Sequence, residues 1–90
     1  MKQTRVLILD DESTLRTALF RLLDRKGFQV VTAQRVEEAR SFFSADKPFD
    51  LAIVDMNLPD GNGIDFISEI KKFSANTQVI VLTGFASIDS

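Results

Sequence analysis

Asp10-Asp11-Glu12 directly follow the apolar run Val6-Leu7-Ile8-Leu9, Asp55-Met56-Asn57 follow Leu51-Ala52-Ile53-Val54, and Thr83-Gly84 follow Val79-Ile80-Val81-Leu82. If these runs are neighbouring strands, their ends place three aspartates and a hydroxyl on one rim of a sheet. In open α/β sheets ligands bind on that rim, beyond the carboxyl ends of the strands. Carboxylates gathered there repel one another, and a hard divalent cation relieves the repulsion with oxygen ligands alone, which makes Mg2+ the natural candidate. A Mg2+ that keeps open positions can also take oxygens from a phosphoryl donor, and the reaction then needs chiefly an in-line nucleophile and charge neutralisation. Asp55 fits the nucleophile's role, with an aspartyl-phosphate as product.

Taken singly, these residues have plainer readings. Asp10, Asp11 and Asp55 can each be a helix N-cap or a solvated loop residue, and Thr83 can be a β-branched residue closing a strand. The concurrence of carboxylates at two strand ends with a hydroxyl at a third is what core packing does not require. The Pro59-Asp60-Gly61-Asn62-Gly63 cluster reads as turn chemistry before a helix. A calcium loop of the EF-hand type starting at Asp55 fails, since Pro59, Asp60 and Phe66 stand where Asp or Asn, Gly and Glu are required. No Gly-x-x-x-x-Gly-Lys run for a phosphate-binding loop occurs either.

The elements that must position the candidates follow from hydrophobic periodicity. Together with Val30-Val31-Thr32-Ala33, the three runs make four strands, and the first, third and fourth are nearly continuous, as parallel strands covered on both faces should be. Leu15, Ala18, Leu19, Leu22 and Leu23 form one apolar helix face ended by Gly27. Val36, Ala39 and Phe43 suggest a second helix before Pro48, and Phe66, Ile67, Ile70 and Phe73 a third with Glu69, Lys71 and Lys72 largely opposite. The order β-α-β-α-β-α-β with right-handed crossovers predicts a doubly wound parallel sheet with helices on both faces. Ala86 to Ser90 resembles the opening of a fourth helix.

Ninety residues, 44% hydrophobic and 27% charged, suit one compact domain and no disorder. A net charge of -2 argues against direct nucleic-acid binding by this piece. With no Cys and no His, thiol chemistry, disulfides and the usual zinc and general-base side chains are excluded. The eight Phe read mainly as core filling, with Phe20, Phe42 and Phe85 nearer the surface. The first apolar run meets Asp10 too early for a signal peptide or membrane span, so the expectation is a cytoplasmic chain without membrane contact.

Three stretches resemble the receiver domains of two-component response regulators, including the nitrogen-regulation-like transcriptional regulators: Val6 to Glu12, Ile53 to Gly63 and Val81 to Ser87. The resemblance implies a flavodoxin-like receiver fold. It implies that Asp55 accepts a phosphoryl group from a phosphohistidine on a sensor histidine kinase, or from a small phosphodonor. It further implies that Asp11 and Asp55 bind Mg2+ through carboxylates, Asp10 through water and Asn57 through its backbone carbonyl, and that Thr83 is the switch hydroxyl. Residues 1–90 then correspond to a receiver domain with its fifth strand and helix missing, and with no counterpart of the family's phosphoryl-contacting Lys. The fourth strand's edge is expected to be exposed, which favours a homodimer or exchange of elements with a second chain.

Two other functions compete with the phosphoacceptor. One is a non-phosphorylated interaction or self-association module built on the same fold. The other is a metal-dependent phosphohydrolase, disfavoured because Asn57 stands where many such enzymes carry a second Asp and because the chain has little room for a substrate cap.

Overall fold

The structure, a computed structural model, describes residues 3–43 and 47–82. The elements are β1 (Arg5–Leu9), α1 (Ser13–Arg25), β2 (Gln29–Ala33), α2 (Val36–Ser41), β3 (Leu51–Asp55), β4 (Asn57–Leu58), β5 (Gly61–Asn62), α3 (Gly63–Phe73) and β6 (Gln78–Leu82). Four strands form one sheet in the order β2-β1-β3-β6, every pair parallel, with Val6 opposite both Val30 and Leu51 and Asp55 opposite Leu82. The doubly wound parallel architecture expected from the periodicity is therefore present. The two short strands β4 and β5 make a separate antiparallel hairpin, Asn57 opposite Asn62 and Leu58 opposite Gly61.

Side chains of alternating strand positions feed two cores. Leu7, Leu9, Ala52 and Val54 pack with Val36 and Ala39 of α2 and Phe66 and Ile70 of α3 on one face, whereas Val6, Ile8 and Ile53 pack under Leu19 and Leu23 of α1 on the other. Each fully buried Leu, Ile or Val contributes about 1.5–3 kcal/mol relative to exposure, so the central strands β1 and β3 carry much of the stability. Phe43 anchors the first core edge-on to Phe49, Phe66 and Phe73, with ring centroids 5.1, 5.9 and 5.7 Å away. At the end of the sheet remote from the aspartates, the Arg5 guanidinium lies 4.4 Å from the Phe49 ring centroid and donates to the Lys47 and Pro48 carbonyls. Buried Thr77 donates its hydroxyl proton to the Phe49 carbonyl at 2.6 Å.

The helices start and stop for local reasons. α1 ends where Gly27 takes φ +91°, a left-handed turn that lets Gly27 N donate to Asp24 O at 3.0 Å and Phe28 N to Leu23 O at 3.2 Å. α3 begins under the Asn62 side chain, which accepts from Ile64 N at 2.7 Å. α2 stops at Ser41, so Phe43 reaches the core from beyond the helix rather than from its face.

Three faces differ from expectation. On α1, only Leu19 and Leu23 join the core, while Leu15 and Leu22 are 36% and 52% exposed, because among the described residues no second helix flanks α1 on its side of the sheet. β6 has Ile80 at 49% and Val81 at 38% exposure, unlike a strand covered on both faces, since it forms the sheet edge among the described residues. Phe73 is mostly exposed despite its edge contact with Phe43, as it occupies the last residue of α3. Phe20 and Phe42 lie toward the surface as expected, and Phe85 lies outside the described residues.

Candidate phosphoacceptor site

Asp10 follows the last residue of β1, and Asp55 is the last residue of the adjacent strand β3, so the parallel β1–β3 pairing brings their side chains to the same rim. Carboxylate oxygens of Asp10, Asp11 and Asp55 all lie within 4.8 Å of one another. Asp10 is buried, Asp55 half-buried and Asp11 exposed, which grades the cluster from the sheet outward.

Asp10 is held from several directions. Its amide donates to Ala33 O at the end of β2 (3.1 Å), its Oδ1 accepts from Glu12 N (2.8 Å), and its carbonyl accepts from Arg16 Nη1 (2.8 Å). Burial pushes the Asp10 carboxyl above the usual aspartate range; the Glu12 amide pulls the other way, and the nearby charges of Asp55, Asp11 and Glu12 reinforce the rise. An oxygen-only pocket in which one carboxylate is costly to ionise fits a hard divalent cation, whose charge removes that cost.

The loop after β3 is shaped by close backbone approach. Met56 N donates to Leu82 O at 3.2 Å, Gly63 N donates to Met56 O at 2.9 Å, and a Cβ on Gly63 would meet Asp55 O at 2.1 Å. Only glycine therefore lets the hairpin close onto the end of β3. Asn57 stands at the start of that hairpin, its amide 3.3 Å from Asp55 Oδ1 as donor.

The structure thus brings together Asp10, Asp11 and Asp55, with Asn57 adjoining. Thr83 lies outside the described residues, and the last described position of β6, Leu82, is in register with Asp55. Two residues with a part in shaping the site escaped the sequence reading. Arg16 was one turn into α1 with no pattern to mark it. Asp60 was absorbed into a turn cluster, although its carboxylate accepts from Val36 N at 2.8 Å and Glu37 N at 3.1 Å at the start of α2.

A parallel sheet with an acidic rim of this kind defines a class, and residues 6–90 match the response regulator receiver domain family. The chain belongs to that family. Over 90 residues it is 38% identical to the response regulator protein PilR of Pseudomonas aeruginosa, covering all of this chain and 20% of PilR. It is 40% identical over 81 residues to the KDP operon transcriptional regulatory protein KdpE of Escherichia coli, covering 90% of this chain and 35% of KdpE. Among solved structures it resembles the response regulator TrrA of Thermotoga maritima in complex with Mg(2+)-BeF, with TM-score 0.82, 31% identity, and coverage of 97% of this chain and 75% of that one. The chain thus spans well under half the length of these two curated relatives. Among the described residues no helix is long and apolar enough to cross a membrane.

Proposed function

We propose that this receiver domain takes a phosphoryl group onto Asp55 from a sensor histidine kinase, in the presence of Mg2+, and passes the change to an output in its parent protein. The observation that carries this reading is the three-carboxylate cluster, with Asp55 at the end of the central strand β3 and all three carboxylates within 4.8 Å. Asp10, Asp11, Asp55 and the Asn57 carbonyl are the groups that would hold the ion. Bound there, Mg2+ supplies the positive charge that offsets the clustered carboxylates and the incoming phosphoryl oxygens.

The residues of the chain do the rest. An Asp55 carboxylate oxygen forms the new bond to phosphorus as the bond from phosphorus to the donor's imidazole nitrogen, or to acetate in acetyl phosphate, breaks and the leaving group takes the electron pair. Asp10, fixed by Ala33, Glu12 and Arg16, keeps its carboxylate beside Asp55 without rearrangement. Thr83 is the proposed switch hydroxyl that meets the phosphoryl oxygens. Such a group adds charge and acceptors at a strand end and biases a two-state loop. The domain acts as an acceptor and switch rather than a turnover enzyme. Its likeness to KdpE favours a transcriptional output, and response-regulator membership favours a cytoplasmic location.

Incubation with acetyl phosphate, with and without Mg2+, followed by intact-mass measurement tests the reading. One Mg2+-dependent phosphoryl adduct is expected, lost in Asp55→Asn; a folded wild-type chain that acquires none refutes it. A second reading, self-association or exchange of elements between copies through β6, is favoured by the exposed Ile80 and Val81. Sedimentation showing only monomer at high concentration would eliminate it.

A further inference from the structure

α2 has no side-chain cap of its own: Arg35 occupies its N-cap position and makes no such bond. The cap arrives from the turn of the β4–β5 hairpin, where both oxygens of Asp60 are engaged, Oδ1 by Val36 N at 2.8 Å and Oδ2 by Glu37 N at 3.1 Å. Gly61 presses on the same place, since a Cβ there would stand 3.3 Å from Val36 Cγ2. Val36 is itself buried in the main core. Three residues before α2, Ala33 O accepts the Asp10 amide. The β2–α2 segment therefore touches both halves of the acidic site, Asp10 through Ala33 at the end of β2 and the Asn57–Asn62 hairpin through Asp60 at the start of α2.

Resting on the metal-site reading above, we infer that Asp60 is a positioning residue for Mg2+: by tying the hairpin that carries Asn57 to the start of α2, it fixes that loop against the Asp10 side of the pocket. Its role is indirect, as its two oxygens are taken by amides and its contacts lie on α2. The two amide bonds also hold the Asp60 carboxyl below the usual aspartate range, so it accepts them as a carboxylate at neutral pH. Without Asp60, the hairpin keeps its own pairing and its bond from Gly63 N to Met56 O but loses its hydrogen bonds to α2.

Calorimetric titration of the intact chain with Mg2+ tests this with three variants. Asp60→Ala is expected to weaken Mg2+ binding about fivefold, the equilibrium counterpart of one lost side-chain cap. Asp60→Asn, which keeps one of the two accepting oxygens and drops the charge, is expected to fall between wild type and Asp60→Ala. Glu38→Ala removes the other side-chain bond near the start of α2, to Gln34 N at 2.9 Å, without touching the hairpin, and should leave Mg2+ affinity unchanged. Unaltered affinity in Asp60→Ala overturns the inference, as does Asp60→Asn binding more weakly than Asp60→Ala, which loss of the cap cannot produce. Equal weakening by Glu38→Ala also overturns it, by reducing the effect to helix stability. Wild type that binds no Mg2+ removes the metal-site reading and this inference with it, whereas wild-type binding with an indifferent Asp60→Ala removes this inference only.

Discussion

Replacing Asp10 with Asn should stabilise the fold while weakening the site. Asp10 is only 2% exposed, and its carboxylate oxygen lies within 4.8 Å of one on Asp55. Two unit charges at that separation repel by about 1 kcal/mol in a water-like medium and about 3.5 kcal/mol at the effective dielectric of about 20 that suits protein sites. With Asp10 buried and Asp55 half-buried, removal of one charge relieves about 1–3 kcal/mol. Asn retains an oxygen for the Glu12 amide, which now donates to Asp10 Oδ1 at 2.8 Å, so no backbone donor is stranded. For a chain of 90 residues this corresponds to an unfolding midpoint higher by roughly 5–15 °C. Because folding raises the Asp10 pKa above 3.8, the wild type recovers stability as pH falls through the folded value. The variant's advantage therefore shrinks as pH falls through the raised Asp10 value toward 3.8. Thermal unfolding followed by circular dichroism in EDTA, across that pH range, measures it. Saturating Mg2+ should narrow the gap by stabilising the wild type more. A midpoint for Asp10→Asn equal to or below wild type at pH 7 without divalent ions refutes the account of clustered, unrelieved charge.

Gly63→Ala places a methyl 2.1 Å from Asp55 O, so either the end of β3 or the hairpin must shift. A stability loss of about 2–3 kcal/mol is expected in urea titrations, with acetyl phosphate labelling slowed even where the chain is folded. Thr77→Val strips the Phe49 carbonyl of its buried donor and should cost about 1–3 kcal/mol by the same titration, with labelling of Asp55 unaffected. Arg40→Gln and Glu69→Gln break an ion pair of 2.8 Å that is half exposed, and the unfolding midpoint at pH 7 should stay within replicate scatter because solvent screens the pair. Since Arg40 holds the Glu69 carboxyl below the usual glutamate range, whatever the pair contributes is present above pH 4.5 and lost as pH falls through the depressed value, which an acid titration of both variants would register.

Much of this molecule could be read before its structure. Apolar runs marked all four strands of the sheet, and those of β1 and β3 are continuous because parallel strands buried on both faces need no polar alternation. Their carboxyl ends then located Asp10, Asp11 and Asp55 on one rim without any knowledge of strand order. The exposed sides of α1 and β6 were less accessible, since periodicity reports which residues could be covered and says nothing of what lies against them. Asp60 shows a different blindness. Pro, Asp, Gly and Asn in a row are sufficient to explain a turn, so the sequence offered no reason to look for a partner 24 residues away. The hairpin made by Asn57–Leu58 and Gly61–Asn62 was hidden in the same cluster, as two-residue strands carry no period to detect.

The strand at the front of the sequence ends in the middle of the sheet. β1 has β2 on one side and β3 on the other, with Val6 paired to Val30 and to Leu51. During synthesis, β1 leaves the ribosome before β3 and must wait through two helices before this second neighbour exists. Asp10 and Asp11 emerge with it, but Asp55 joins them only when β3 docks, a closure of long loop that is among the slower events in folding. Site assembly and the pairing of β1 with β3 are thus one kinetic event. Tight Mg2+ binding would serve as a clock for folding, because any species that holds the ion with all three carboxylates has already paired its first strand with its third.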